Sequence, residues 1–250
     1  MSRFEHLAKK SWMPFWMLGD PDLNRSFEII QILVDNGADA LELGIPFSDP
    51  IADGPVVQRA AMRALAAGAN LEACFQLLTK IRQQYPSIPI SVLSYANLAI
   101  CKTADWFYAQ CAQAGVDAVL LADVPTLEAA YFCQMAHKHK IDPVLIAAPN
   151  LSQTQIDSVA KYSKGYVYGL TRAGVTGADE TLNLSAQKLI KKLRKAGSPP
   201  VFLGFGISKP EHVRQALLQG AHGVICGSAV ISTPTEDLPS FIRAMSTSTS

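Results

Sequence analysis

Apolar bursts and helical periodicity alternate along the whole chain. "NGADALELG" (36–44), "AGVDAVLLAD" (114–123) and "QGAHGVICG" (219–227) share one pattern: glycine, short residues, then an apolar run. Each follows an amphipathic stretch, "RSFEIIQILVD", "TADWFYAQCAQ" and "PEHVRQALLQ". The pattern reads as a helix ended by a left-handed glycine, a short loop and a strand buried on both faces. "MPFWML", "IPISVLSY", "PVLIAA", "GYVYGL" and "PPVFLGFG" supply five further strands, making eight. The stretches "VVQRAAMRALAAG", "LEACFQLLTKIRQQ", "LEAAYFCQMAHKH", "SQTQIDSVAKY" and "SAQKLIKKLRKAG" supply helices between them. Eight alternating units in about 230 residues predict a parallel (β/α)8 TIM barrel with extra helices. No linker interrupts the pattern, so residues 1–245 are expected as one domain and "STSTS" (246–250) as a disordered tail.

Composition narrows the class. Hydrophobic residues make up 49% and charged residues 17%, enough for a large core and too little charge for disorder. The net charge of +1, with no block of either sign, argues against nucleic acid or an anionic membrane as partner. The apolar stretch Trp12–Leu18 follows Lys9 and Lys10, but no small-residue cleavage site comes after it, so it reads as a strand and not a leader. No stretch reaches the length of a membrane span. Cys74, Cys101, Cys111, Cys133 and Cys226 are odd in number, scattered and without CxxC spacing. Neither a metal site nor a disulfide framework is expected, which suits a reducing cytosol.

In a barrel of this kind the loops after the seventh and eighth strands often hold phosphate on backbone N–H groups. "GFGISKPEH" (204–212) and "CGSAV" (226–230) occupy those places. Gly206 allows close backbone approach, Ser208 can cap the next helix and Pro210 suits its first turn; Gly227 and Ser228 repeat the logic. Lys209 points towards phosphate and not towards Schiff-base chemistry. A third glycine loop, "TRAGVTGADE" (171–180), reads as a lid in which Gly177 adds an amide. Tight turns alone would also explain these glycines, but two such loops at the expected strands favour phosphate.

"LELGIPFSDPIADGP" (41–55) carries the acids. With Leu41 and Leu43 facing the helices, alternation sends Glu42 into the barrel, where burial would raise its pKa towards acid–base use. A structural ion pair, for instance with Arg172, remains an equal alternative from the residues alone. Asp53 lies in the loop that returns over the same barrel end, and Asp49 reads as a turn or contact residue. Asp20 and Asp123 end strands and are expected to cap. His6, His137, His139, His212 and His222 lie on helices or their ends, and no catalytic triad, nucleophilic cysteine or metal cluster is visible. Carboxylate acid–base chemistry on a phosphorylated substrate is what remains.

These stretches resemble the tryptophan synthase α subunit family. "LELGIPFSDPIADGP" is similar to its signature, and "PFWMLGDPD", "YANL", "GVDAVLLADVP", "AAPN", "TRAGVTGA", "GFGIS" and "CGSA" follow in family order from about Phe15 to Val230. The resemblance implies cofactor-free retro-aldol cleavage of indole-3-glycerol phosphate to indole and glyceraldehyde 3-phosphate. It implies Glu42 as the acid–base group, Asp53 as acceptor for the indole N–H, and Tyr168 as support for the carboxylate and substrate. Gly177, Gly206, Gly227 and Ser228 would bind phosphate. Phe15, Leu93, Leu120, Ile146, Thr176, Phe205 and Ile225 would form the indole pocket. Pro46, Asp49 and Asn97 would lie near the interface with a β subunit, two α with two β chains, and pyridoxal phosphate would belong to that partner. Met17, Ser94, Ala148 and "GADET" depart from the family pattern, and the end after "SAVISTPTEDLPSFIRAM" looks shorter than the family's. The departures keep a second reading open, a regulatory α-like subunit with weakened chemistry; a third, a stand-alone lyase releasing indole, is not separable from the first by sequence.

Overall fold

The alternation seen along the chain closes into a ring of parallel strands in the computed structural model, which describes residues 2–7, 10–171, 181–204 and 206–249. The strands are β1 (Ser11–Met17), β2 (Leu41–Gly44), β3 (Ile90–Ser94), β4 (Ala118–Leu121), β5 (Asp142–Val144), β6 (Ile146–Ala147), β7 (Val167–Leu170), β8 (Val201–Gly204) and β9 (Gly223–Cys226). Their order is β5-β4-β3-β2-β1-β9-β8-β7-β6. The expected fifth strand of eight is therefore split at Leu145: its first half pairs with β4 and its second with β7. Pro143, which has no N–H to donate, lies in the first half. The Leu145 carbonyl accepts from Tyr168 N–H at 3.1 Å and carries the ladder across the split. Nine segments thus form the eight-strand barrel that periodicity predicts.

Period-two alternation sorts the side chains into two cores. Trp12, Trp16, Leu18, Leu41, Leu43, Ile90, Val92, Val119, Val167, Leu203 and Val224 face outward and pack with the helices. Met13, Leu120, Val144, Tyr166, Phe202 and Ile225 face inward, with Phe4 packed among them. Phe4 comes from a short 3-10 turn, Arg3–His6, and lies 5.1 Å from the Tyr166 ring, which in turn lies 5.2 Å from Phe202. An aromatic column thus fills the N-terminal end of the barrel and leaves the C-terminal end open.

That closed end is tied by one acid. Asp117, just before β4 and buried, accepts from Arg3 Nη1 and Arg82 Nη2, each at 2.8 Å, and from the Ile90 N–H at 2.9 Å. It joins the N-terminal turn, the helix Leu71–Gln84 and β3 through charge-assisted bonds that burial strengthens. At the other terminus, Ser246 to Thr249, expected within a disordered tail, lie in helical segments. The helix Leu238–Ser246 runs into a 3-10 turn, Thr247–Thr249, and Ser248 accepts from Arg214 at 3.2 Å. The apolar face of that helix, with Leu238, Ile242 and Met245 buried, draws the following residues onto the body.

Asp117→Asn keeps the shape but leaves the half-enclosed Arg82 guanidinium without its counter-charge. A loss of about 3 kcal/mol is expected from breaking such a buried pair, read as a lower urea midpoint at unchanged slope. An unchanged midpoint would show that solvent replaces the carboxylate.

Candidate active site

A cavity of about 230 Å³ opens at the C-terminal end of the barrel. Its walls bring together Glu42 from β2, Asp53 and Gly54 from the following loop, Phe15 from β1, Leu93 from β3 and Tyr168 from β7. Gly206, Ile207 and Ser208 after β8, and Gly227 and Ser228 after β9, close the other side. Carboxylates and glycine loops separated by more than a hundred residues thus face one space.

Glu42 points into the barrel, as alternation requires, and is 1% exposed. Among the described residues it forms no ion pair. Its partner is Tyr166, whose hydroxyl donates to Glu42 Oε1 at 3.1 Å and also lies 2.8 Å from Ser91 Oγ. Burial pushes the Glu42 carboxyl up to about 8; the Tyr166 hydrogen bond opposes this, and the nearby Asp53 charge adds to it. The alternative of an ion pair with Arg172 concerns a position outside the described residues. Asp53 is half-buried, and burial raises its carboxyl as well. The polarity of the neighbouring Tyr95 phenol offsets part of that rise, although the hydroxyl falls short of a well-formed hydrogen bond.

Two glycines make room for the rings. A Cβ on Gly44 would sit 2.6 Å from Phe15 Cζ, and one on Gly204 would sit 2.2 Å from the Tyr168 hydroxyl. Both rings can therefore press against the neighbouring strand because those positions carry no side chain. Gly206 has φ +77, a conformation that favours glycine, at the loop facing the cavity. The helix Ser228–Ser232 starts directly at the cavity wall, with Gly227 as its N-cap. Ser208 is not a cap: Lys209 holds that position before Pro210, and Ser208 N–H donates to His212 Nδ1 at 3.3 Å.

The remaining sequence expectations divide clearly. Phe15, Leu93 and Ile225 line the cavity; Leu120 and Ile146 lie in the inner cluster beneath it. Thr176, Gly177 and Phe205 fall outside the described residues. Tyr166, which alternation could have singled out as a polar group facing inward, was missed; it and not Tyr168 hydrogen-bonds Glu42. Asp123 does cap, accepting from Ala96 N–H at 2.8 Å, but Asp20 instead grips Arg63 through two bonds of 2.7 Å. Met17 is buried with its Cε near Gly44 beside the Phe15 ring, and Ser94 is buried at the end of β3. Asp49 and Asn97 are exposed on the rim, whereas Pro46 is buried. Among the described residues, no group of three His, Cys, Asp or Glu side chains could hold a metal ion.

Comparison with known proteins decides the family. The family model described as "Tryptophan synthase alpha chain" matches residues 1–246. The chain belongs to the tryptophan synthase alpha chain family. The alpha chain of Shewanella oneidensis is 51% identical over 230 residues, 92% of this chain and 83% of that one. That of Actinobacillus pleuropneumoniae serotype 5b is 48% identical over 98% and 94%. The crystal structure of the subunit alpha from Legionella pneumophila superposes with a TM-score of 0.89 at 29% identity, covering 100% of this chain and 98% of that one. A chain of the Pyrococcus furiosus a2b2 complex gives 0.87 at 33% identity, covering 96% and 98%. Tryptophan synthase alpha chains are lyases of tryptophan biosynthesis, cleaving indole-3-glycerol phosphate to indole and glyceraldehyde 3-phosphate, and that activity belongs to this chain.

The carboxyl on Glu42 makes stability depend on pH in a defined direction. Its native pKa of about 8 lies above the ordinary 4.5, so between those values the folded state holds a proton that the unfolded chain has released. The contribution is full below pH 4.5 and is lost as pH rises to 8. Wild-type stability relative to Glu42→Gln is therefore expected to fall from pH 5 to pH 8 in urea unfolding. A rise over that window would mean that the fold stabilises the carboxylate anion. In Tyr166→Phe, which removes the donor that favours the anion, the midpoint of that fall moves to higher pH.

Proposed function

We propose that Glu42 and Asp53 carry the lyase chemistry of this tryptophan synthase alpha chain, with the observation that both face one cavity with the glycine loops as the carrier of the assignment. At neutral pH Glu42 retains its proton and can deliver it to the indole C3 carbon. The resulting carboxylate then accepts the proton of the glycerol hydroxyl next to the scissile bond. The C–C bond breaks, its electrons returning the indolenine to indole and leaving the aldehyde of glyceraldehyde 3-phosphate. One proton is thus used and recovered on the same side chain, so no cofactor is required. Asp53 accepts from the indole N–H, and its charge stabilises the cation formed when C3 is protonated. The same charge favours protonated Glu42, so one residue serves both steps.

Phe15, Leu93 and Ile225 supply apolar surface for the indole ring, and Tyr168 bounds it on the carboxylate side. The substrate phosphate is assigned to the backbone N–H groups around Gly206 and Gly227 and to Ser228, at a helix start where anions are favoured. Gly177, Thr176 and Phe205 are assigned to the phosphate loop and pocket from the family resemblance.

A β subunit is the proposed partner, in a complex of two α and two β chains, as the a2b2 complex of Pyrococcus furiosus supports. Ile51, Ile100 and Leu127 are 81%, 48% and 59% exposed in the connections that follow β2, β3 and β4, near Asp49 and Asn97 in the chain. Three consecutive connections on one barrel end thus present apolar side chains to solvent, a surface suited to a protein partner. Pro46, being buried, would shape that rim from beneath. Pyridoxal phosphate is assigned to the β subunit. Cytoplasmic residence is proposed from the five free cysteines; among the described residues no helix is long and apolar enough to cross a membrane.

The decisive assay follows indole release from indole-3-glycerol phosphate, with and without a β subunit. Glu42→Gln is expected to lower kcat by about 10²–10⁴-fold while leaving affinity for a glycerol phosphate ligand unchanged. Equal loss of binding and turnover would make Glu42 structural. Release that rises strongly with the partner supports the complex, and strong release without dependence on it would point to a stand-alone lyase.

A further inference from the structure

A second cavity, of about 500 Å³, lies at the opposite end of the barrel from the carboxylates. It opens among the N-terminal ends of three strands. Lys10 precedes β1, Ser198 precedes β8 and His222 precedes β9, while Ile190 and Arg194 come from the helix Thr181–Lys195. Among the described residues no carboxylate lines it. Lys10 and Arg194 form no ion pair with any described residue, and Arg194 Nη2 lies 3.4 Å from the Gly220 carbonyl across the cavity wall.

The surroundings reinforce this charge. From Thr181 to Pro200 the chain has no acid, yet it holds Lys188, Lys191, Lys192, Arg194 and Lys195, in a protein with 22 basic and 21 acidic residues overall. A cleft of one sign with apolar walls focuses field lines on its interior. Lys10 has φ 68, rare for a residue with a side chain, and its N–H donates to the His222 carbonyl at 2.7 Å. The His222 ring is seated against Phe202, with centroids 5.9 Å apart. Lys10 and Arg194 therefore border a partly apolar space whose described walls supply nothing of opposite charge.

We propose that this cavity is a second binding site, for a small organic anion whose carboxylate or phosphate meets Lys10 and Arg194 and whose apolar body packs on Ile190 and Pro199. The guanidinium fork suits either oxyanion, and the volume falls within the range of small-molecule pockets.

Histidine imidazole resonances separate this site from the catalytic one. His222 lines the new cavity, and His212 contacts Ser208 of the catalytic cavity. Phenyl phosphate and benzoate are titrated into the intact protein. A saturable shift of His222 is expected with at least one probe, and the probe that gives it identifies the head group. In Lys10→Gln/Arg194→Gln that affinity falls about tenfold or more, as expected for lost charged hydrogen bonds. Any phenyl phosphate response at His212, and lyase turnover, stay unchanged. No saturable His222 shift with either probe, or equal affinity in the double variant, would overturn the proposal. Neither result depends on the roles assigned to Glu42 and Asp53.

Discussion

A carboxyl group held inside the barrel, without a described cation beside it, is the constraint on which the site depends. Glu42 is removed from water by β1 and β3 on either side, where it pairs in register with Phe15 and Ser91. Full ionisation there is unfavourable because desolvation is only partly offset by one phenol donor. The proton is consequently retained at pH values where an exposed glutamate would have lost it. The barrel supplies this environment because strand alternation must send every second side chain inward, and the inward position in β2 is an acid.

The interior beneath that acid is built to keep it in place. Phe4, Tyr166 and Phe202 pack in sequence, and Tyr166 turns its hydroxyl towards Glu42 and Ser91. Asp117 ties the turn that carries Phe4 to Arg82 and β3. The N-terminal turn therefore contributes to the site although it lies at the far end of the barrel. On the open side, Gly206 and Gly227 in the loops after β8 and β9 face the same cavity, so the buried acid of β2 and the small-residue loops divide the site between strand and connections. Such a division suits a reaction that must position a carbon skeleton firmly and hold an anionic group at its end.

Much of this was legible in the residues. The alternation "LELG" told which way Glu42 points, and the helix-glycine-strand repeats marked the unit from which the barrel is built. Other features were not. The split at Leu145 depends on which neighbour each half of the fifth strand can reach around a closed ring. Asp20 reads locally as a cap, yet Arg63, forty-three positions away, reaches it first with a bidentate grip. The ordered residues after Ser246 look polar and free in one dimension, but Arg214 and the body of the preceding helix hold them.

The sequence by itself determined the period of burial, the number of strand–helix units and the inward direction of Glu42, because these rest on interactions between near neighbours along the backbone. It also determined family membership through motifs spread over nearly the whole chain. Only the tertiary structure decided that Tyr166 and not Tyr168 bonds the carboxyl, that Asp53 shares its cavity, and that Lys10, Arg194 and His222 meet at the other end. Those relations join residues far apart in the chain, and they are settled by barrel closure and side-chain reach, which no local pattern encodes.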